Sequence, residues 1–237
     1  MNFLLIVTGY NCSDNVLPCY FSIAIQNENW KAVFIDDAST DDTYSKICKI
    51  KDPRVIKENF TDNVGAAYRR FKAIKKYGNP DDVVVLIGMD DLLIDGSLTR
   101  IRKEYEKGKL MTYGMYQYKD GTIPSFELEF DNKTHEQRSY RKETYRSTAP
   151  NTFKCFLFEL FKEDDFIVNG EWIKATTESP LMFGLLEMCG QDRIGIIGDP
   201  IYIYRKHFTD NARERFGRDY QDNIYNTIIN RPQKDLI

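Results

Sequence analysis

Several classes of protein are excluded by what the sequence lacks. Its 33 Lys and Arg residues and 36 Asp and Glu residues give a net charge of −3, and no basic stripe indicates nucleic-acid binding. Its apolar runs are too short to cross a bilayer, and its apolar start has neither a basic region before it nor a signal-peptide cleavage site. We therefore expect a soluble, cytoplasmic protein with no membrane segment and no nucleic-acid partner.

Familiar metal and phosphate motifs are missing as well. The five cysteines form no CxxC pair, so neither a zinc site nor a disulfide framework is predicted. A catalytic cysteine would have only His135 and His207 as histidine partners. The sequence contains no P-loop motif and no GxGxxG after a strand, which argues against a P-loop protein and a dinucleotide-binding fold.

What is present is typical of one large globular domain. The 237 residues are 42% hydrophobic and 14% aromatic, which is enough to bury a sizeable core. In the first half, short apolar runs alternate with amphipathic patterns, and this alternation indicates βα units and a parallel sheet. Strands are predicted at 3–8, 31–35, 54–57, 83–89 and 110–118, and helices at 14–26, 40–50, 66–76 and 97–106.

The pattern weakens in the second half. Residues 120–151 are polar without clear periodicity, and a stretch of this length in a compact domain is typical of a functional loop or an ordered lid. We predict helices at 152–161 and 179–189, one or two β segments at 194–204, and a peripheral helix after residue 214.

Polar groups follow three of the predicted strands. They are Thr8-Gly9-Tyr10-Asn11, Asp36-Asp37-Ala38-Ser39 and the pair Asp90-Asp91. Because the carboxyl ends of parallel strands meet at one edge of a sheet, these groups predict a nucleotide pocket with a metal. The alternative for Asp90 and Asp91 is that they begin a turn or cap the next helix.

Each polar group suits a part of a nucleotide. Asp37 can accept a hydrogen bond from a base or a ribose, the backbone of Thr8 to Tyr10 can frame the base, and Tyr10 can stack on it. Asn63 opens a helix whose start, together with Arg70, can help to hold an anion. The alternative for Arg70 is a pair with a surface acid.

Four motifs in order make a resemblance to a known family. VTGYN, VFIDDASTDDT, NVGAAYRRFKAI and LIGMDDLL, within roughly residues 3–100, resemble family 2 glycosyltransferases of the GT-A fold. IIGDPIYIYRKH resembles the segment that closes this fold. The resemblance implies an α/β GT-A (Rossmann-like) domain with a central, mostly parallel sheet flanked by helices over residues 1–213. Residues 1–100 would form the donor half, 110–213 the acceptor half and 214–237 a C-terminal extension.

The resemblance also implies roles for individual residues. The nucleotide sugar would be bound by Thr8, Gly9, Tyr10, Asp37, Asn63, Arg70 and Asp90. The metal, Mn²⁺ or Mg²⁺, would be held mainly by Asp91, with Asp90 and His207 as further ligands. Gly88 stands where the family often has an additional Asp.

Inverting transfer to a hydroxyl also needs a general base. By the same resemblance this base is Glu178, at the start of a helix, with Glu187, Asp192 and Asp199 as weaker candidates. The alternative for Glu178 is a helix-capping acid.

The implied partners are a nucleotide-diphosphate sugar and a glycan or other hydroxyl acceptor. The acceptor would meet residues 121–151, with Arg138, Tyr140 and Arg141 as candidates, although a solvated charged loop is the alternative for each. Such an enzyme suits bacterial surface polysaccharides or viral capsid glycans, and thus a bacterial or host-cell cytoplasm. Two other functions are considered: a nucleotidyltransferase, and a non-catalytic nucleotide- or carbohydrate-binding module.

Overall fold

The computed structural model describes residues 1–205 and 215–237. Strands in this part of the chain are β1 (Phe3–Gly9), β2 (Trp30–Asp36), β3 (Val55–Asn59), β4 (Val83–Gly88), β5 (Leu92–Leu93), β6 (Met111–Tyr118), β7 (Asn151–Lys154), β8 (Ile167–Val168), β9 (Glu171–Trp172) and β10 (Ile194–Tyr204). The α-helices are α1 (Val16–Ala24), α2 (Thr43–Lys49), α3 (Ala66–Tyr77), α4 (Ser97–Glu106), α5 (Asn132–Gln137), α6 (Ser179–Cys189) and α7 (Arg218–Ile229). Short 3₁₀ helices lie at Tyr140–Lys142, Cys155–Leu160, Glu163–Phe166 and Gln191–Arg193.

Eight strands of the described residues form one sheet in the order β3-β2-β1-β4-β7-β6-β10-β5. The pairs β3-β2, β2-β1, β1-β4 and β6-β10 are parallel. The pairs β4-β7, β7-β6 and β10-β5 are antiparallel. This arrangement confirms the predicted α/β fold with a central sheet flanked by helices.

The sheet is buried on both faces, and β1 illustrates the reason. Leu4 and Ile6 pack in one hydrophobic cluster, whereas Phe3, Leu5 and Val7 pack in another. Successive side chains of a strand point to opposite faces, so an uninterrupted apolar run such as FLLIV suits a strand with helices on both sides.

One predicted helix is wrong. The sequence pattern predicted a helix over 152–161, but Asn151–Lys154 forms β7, and only Cys155–Leu160 is helical, as a 3₁₀ segment. β7 lies between β4 and β6 and pairs antiparallel with both. Its conformation is therefore determined by partners that are distant in the sequence, which a local pattern does not report.

The polar stretch after β6 is ordered and packs on the core. Tyr140 is fully buried, Arg141 forms a two-pronged ion pair with Glu187 at 2.5 and 2.9 Å, and Arg138 donates to the carbonyl oxygens of Glu187 and Lys234. These three candidates for acceptor binding make contacts within the protein, and their role in acceptor binding stays a prediction.

The C-terminal helix α7 packs against α6. Its residues Ile224 and Ile228 are buried in the same hydrophobic cluster as α6. A domain boundary at residue 213 remains a prediction. In the ranges described above, no helix combines the length and the apolar character needed to cross a membrane.

Candidate active site

The ends of three strands meet at one edge of the sheet. Gly9 of β1 is paired with Asp36 of β2, and Thr8 of β1 is paired with Gly88 of β4. Asp37 and Met89 follow directly, and their backbone amides donate to Gly9 and Thr8 respectively. The polar groups that the sequence places after these strands are therefore neighbours in space.

A cleft of about 270 Å³, called the first cleft here, opens at this edge. All seven residues predicted to bind the donor line it. The full lining is Thr8, Gly9, Tyr10, Cys12, Asp37, Asn63, Gly65, Ala66, Arg70, Gly88, Asp90, Lys174, Arg215 and Phe216.

Asp37 is held in the first cleft by several hydrogen bonds. It accepts hydrogen bonds from Nε of Arg69 at 2.6 Å and from the backbone amides of Gly65 and Val64 at 2.7 and 3.3 Å. The side-chain amide of Asn63 donates to its carbonyl oxygen at 2.8 Å. Asp37 thus holds the loop before α3 against the end of β2, and its contact with a base stays a prediction.

The two acids after β4 have different surroundings. Asp91 is only 5% exposed, and its carboxylate accepts hydrogen bonds from the hydroxyl of Tyr202 at 2.9 Å and from the backbone amide of Arg205 at 2.8 Å. Asp90 is half-buried and lines the first cleft. These contacts link Asp91 to the strand β10, and its role as the main metal ligand stays a prediction.

Gly88 explains how the chain accommodates Asp90. A Cβ atom added at Gly88 would lie 2.5 Å from Oδ1 of Asp90 and 2.9 Å from Oδ2 of Asp91. Because real Cβ atoms do not approach other atoms that closely, a side chain at position 88 would displace one carboxylate. Gly88, where the family pattern often has an additional Asp, thus leaves room for the carboxylates of Asp90 and Asp91.

Cys12 lines the first cleft but is not suited to nucleophilic catalysis. Its burial, reinforced by the negative charge of Asp90, raises the pKa of the thiol to about 12. The thiolate is the reactive form, so the thiol stays protonated and unreactive near neutral pH.

An ion pair joins α3 to the start of α6. Arg70 donates from Nη1 to the carboxylate of Glu178 and to Oγ1 of Thr177, and from Nε to Oγ1 of Thr8 at 3.2 Å. Glu178 occupies the N-cap position of α6, yet its side chain makes no capping hydrogen bond. The helix-capping alternative is therefore wrong, since the carboxylate faces Arg70.

Arg70 also determines the charge state of Glu178. Burial of this carboxylate raises its pKa, but the positive charge and hydrogen bond of Arg70 outweigh burial and leave the pKa below its ordinary value. Glu178 is therefore an ionised proton acceptor at neutral pH.

A second cleft of about 420 Å³ continues from the first and shares Arg70, Gly88 and Asp90 with it. Glu178 lies in its wall. The full lining is Arg70, Leu86, Gly88, Asp90, Asp91, Tyr116, Tyr145, Ser147, Thr148, Ala149, Asn151, Glu178, Tyr202 and Tyr204.

Several residues that line these clefts were not predicted from the sequence. Lys174, Arg215 and Phe216 line the first cleft, and the guanidinium of Arg215 lies 4.4 Å from the ring centroid of Tyr10. They come from segments without a periodic pattern, and only the folded chain brings them to the sheet edge. The predicted metal ligand His207 lies outside the described residues.

Comparison with known proteins identifies the family. The sequence model of "Glycosyl transferase family 2" matches residues 4–166, which is more than half of the chain. The chain belongs to glycosyl transferase family 2. The predicted family is thereby confirmed, and the matched residues include all the predicted donor-binding residues but stop before Glu178.

Relatives and solved structures agree with the family 2 assignment. A 74-residue segment is 40% identical to UDP-Glc:alpha-D-GlcNAc-diphosphoundecaprenol beta-1,3-glucosyltransferase WfaP of Escherichia coli, over 30% of this chain and 29% of that protein. TarS of S. aureus, in complex with UDP-GlcNAc, superposes with a TM-score of 0.68 at 18% identity over 89% of this chain and 60% of that chain.

An archaeal structure shares the fold as well. Mannosyltransferase PcManGT from Pyrobaculum calidifontis, in complex with GDP-Man and Mn²⁺, has a TM-score of 0.57 at 16% identity and covers 89% of this chain and 58% of that one. These two structures establish the GT-A fold. The chain spans under a third of the curated relative and about 60% of the TarS chain.

Proposed function

We propose that this family 2 protein transfers a sugar from a nucleoside diphosphate sugar to a hydroxyl group, with inversion at the anomeric carbon. One observation carries the proposal. Asp90 and Arg70 line both the first and the second cleft, and Glu178 lines the second. A substrate with its nucleoside in the first cleft and its sugar in the second therefore has its diphosphate beside Asp90 and its sugar beside a proton acceptor.

The first cleft suits a nucleoside diphosphate by its charges. Arg70, Lys174 and Arg215 supply positive charge around the cleft, and Tyr10 supplies an aromatic ring. Guanidinium groups bind phosphate oxygens with two parallel hydrogen bonds. The ligands named for the structural neighbours, UDP-GlcNAc and GDP-Man, are molecules of this kind and support the assignment.

A divalent cation, Mn²⁺ or Mg²⁺, fits the donor set at Asp90. The described residues contain no group of three or more His, Cys, Asp or Glu side chains that could enclose a metal. Mg²⁺ is commonly held by one or two carboxylates together with substrate phosphates and water, so Asp90, which lines both clefts, and Asp91, which lines the second, are sufficient. When bound, the cation would neutralise charge on the departing diphosphate.

Glu178 is proposed as the general base. Its carboxylate would accept the proton of the acceptor hydroxyl while the oxygen attacks the anomeric carbon, and the bond to the diphosphate would break on the opposite face. Arg70 keeps this carboxylate ionised before the reaction. After the transfer, the protonated acid releases its proton to water.

The donor-binding step can be tested by thermal unfolding of the intact chain with uridine, guanosine and thymidine diphosphates, each with and without Mn²⁺. A ligand that binds only the native state raises its stability with the logarithm of its concentration over its dissociation constant. We expect a shift with at least one diphosphate that grows with Mn²⁺, and a smaller shift with the matching monophosphate. No shift with any nucleotide would contradict the proposal.

The stereochemistry can be tested once a donor is known. The anomeric configuration of the product, measured by proton NMR, should be opposite to that of the donor sugar. Retention of configuration would contradict the role of Glu178 as a base that acts on the acceptor.

A further inference from the structure

A third cleft of about 400 Å³ adjoins the second cleft on the side of Glu178. Tyr145 and Glu178 line both clefts. The second cleft therefore shares lining residues with both the first and the third. Since the second cleft lies between the other two, a ligand in the third cleft can reach Glu178 without entering the first.

Two buried hydroxyl groups of the third cleft lack partners. The hydroxyl of Tyr145 and Oγ1 of Thr176 are buried, and neither makes a hydrogen bond with any residue in the described ranges. An unsatisfied buried polar group costs about 1–3 kcal/mol, and native proteins contain few of them. Two unsatisfied hydroxyl groups in the wall of one cleft indicate that a polar ligand supplies their hydrogen bonds.

The other wall of the third cleft is α7. This helix contributes Arg218, Gln221, Asp222 and Tyr225, and Arg218 and Asp222 lie within 3.5 Å of each other. Guanidinium, amide and carboxylate groups bind hydroxyl groups as donors and acceptors, and a tyrosine ring can pack against the C–H face of a sugar.

α7 is also fixed to the rest of the protein. Ile224 and Ile228, on the adjacent side of the same helix, are buried in the main core. The polar residues of α7 therefore have a defined position relative to Glu178, as a binding site requires.

We propose that the third cleft is the acceptor site and that it binds a hydroxylated sugar ring between α7 and the Tyr145–Thr176 wall. This inference rests on the proposed function, because it takes Glu178 as the group that receives the proton of the acceptor. It moves the acceptor away from most of the stretch 121–151, in which the arginines Arg138 and Arg141 are committed to structural contacts. Only Tyr145 of that stretch remains in the site.

The test uses four methyl glycosides as probes: those of glucose, galactose, mannose and N-acetylglucosamine. Saturation-transfer NMR on the intact chain with UDP and Mg²⁺ should detect binding of at least one. Asp222→Ala and Gln221→Ala should each weaken this binding roughly 2–10-fold, the range for one lost hydrogen bond. Asp219→Ala is the matched control, because Asp219 is exposed on the same helix and does not line the cleft.

Tyr145→Phe gives a second, independent readout. If the hydroxyl serves a ligand, this variant binds the glycoside more weakly while its melting temperature stays equal to or above that of the parent. A fall in the melting temperature would instead assign the hydroxyl to a bond within the protein and overturn the proposal.

Different failures lead to different conclusions. If UDP binds but none of the four glycosides does, or if Asp219→Ala weakens the glycoside as much as Asp222→Ala, the acceptor site is wrong and the proposed function stands. If UDP does not bind, the NMR test is repeated with the diphosphate that raises the melting temperature, and if no nucleoside diphosphate binds, both proposals are overturned.

Discussion

The two sides of the cleft series differ in how their polar groups are satisfied. On the donor side, Asp37 accepts hydrogen bonds from Arg69 and from two backbone amides. On the other side, the hydroxyls of Tyr145, Ser147 and Thr176 are buried without partners among the residues described here. Within residues 1–100, all of which the structure describes, Nε1 of Trp30 is the only buried side-chain nitrogen or oxygen atom without a hydrogen-bond partner.

This difference shows on which side the polar groups already have their hydrogen-bond partners before a ligand binds. The donor side uses a buried ion pair and backbone amides to fix one loop against the sheet, so its shape does not depend on the ligand. The other side keeps buried hydroxyl groups without partners in residues that line the clefts, and a ligand that supplies hydroxyls of its own can satisfy them. The proposed nucleotide site is therefore preformed, whereas the proposed acceptor site would be completed by its substrate.

The largest effect is expected for Glu178→Gln. The amide cannot accept the proton, and loss of a general base lowers kcat by about 10²–10⁴-fold, while the affinity for the nucleotide should remain. The control is Glu163→Gln, because Glu163 also pairs with a cation of α3, Lys72, but on the exposed surface. Unchanged kcat would remove Glu178 from the mechanism, and absence of turnover in the parent as well would favour a binding module.

Arg69→Met tests the completeness of the donor side. The Arg69–Asp37 pair is 6% exposed at each partner, and removing one partner of such a pair leaves a buried charge, at a cost of about 3–5 kcal/mol. Urea unfolding should show this loss in the free energy of unfolding. The matched variant Lys72→Met breaks an exposed pair on the same helix and should cost below about 1 kcal/mol. Equal losses of stability in Arg69→Met and Lys72→Met would contradict the conclusion that the buried ion pair fixes the donor side.

The next comparison separates the two adjacent acids. Asp91→Asn should lower the free energy of unfolding by roughly 1.5–3 kcal/mol, because hydrogen bonds to a buried charged group are weakened. Asp90→Asn should abolish the effect of Mn²⁺ on nucleotide binding. Thermal unfolding with and without Mn²⁺ measures both variants, and loss of the Mn²⁺ effect in Asp91→Asn but not in Asp90→Asn would assign the metal to Asp91 instead.

The first hundred residues were predictable because their signals are local. The predicted strand at 31–35 lies within Trp30–Asp36, and the predicted helix at 97–106 matches Ser97–Glu106. Each βα unit there has its own apolar run, turn residues and amphipathic helix. Because these strands are parallel, their carboxyl ends bring the predicted donor-binding residues to one edge of the sheet.

The second half was less predictable because its structure depends on distant partners. β7 is a strand only because β4 and β6 flank it, and α7 reaches the third cleft only because Ile224 and Ile228 pack in the core. The sequence did place Glu178 at the start of a helix, but its contact with Arg70 joins residues 108 positions apart. No local pattern reports such a contact.

The ion pair between Arg70 and Glu178 predicts that substitution of Arg70 changes the pH dependence of activity. Arg70 holds the pKa of Glu178 below its usual value against the opposite effect of burial. In Arg70→Gln the effect of burial is opposed only by the weaker hydrogen bonds of Thr177 and of the backbone amide of Glu178, so the pKa of Glu178 rises and the ionised base is lost at a higher pH. The acid limb of the profile of kcat/KM should therefore move to higher pH, whereas Arg70→Lys should keep it near the parent position. An acid limb that does not move in Arg70→Gln would show that another group titrates there.

The smallest effect is expected for Arg215→Ala. This variant tests whether the C-terminal segment contributes to the first cleft as well as to the third. The guanidinium of Arg215 lies over Tyr10 in the first cleft, whereas Arg218 lines the third. Loss of a cation–π contact of about 0.5–1 kcal/mol corresponds to roughly 2–5-fold weaker UDP binding, measurable by calorimetry. Arg218→Ala should leave UDP affinity unchanged. Equal losses in the two variants would mean that the first and third clefts do not act as separate sites, because two arginines three residues apart would then influence the same ligand.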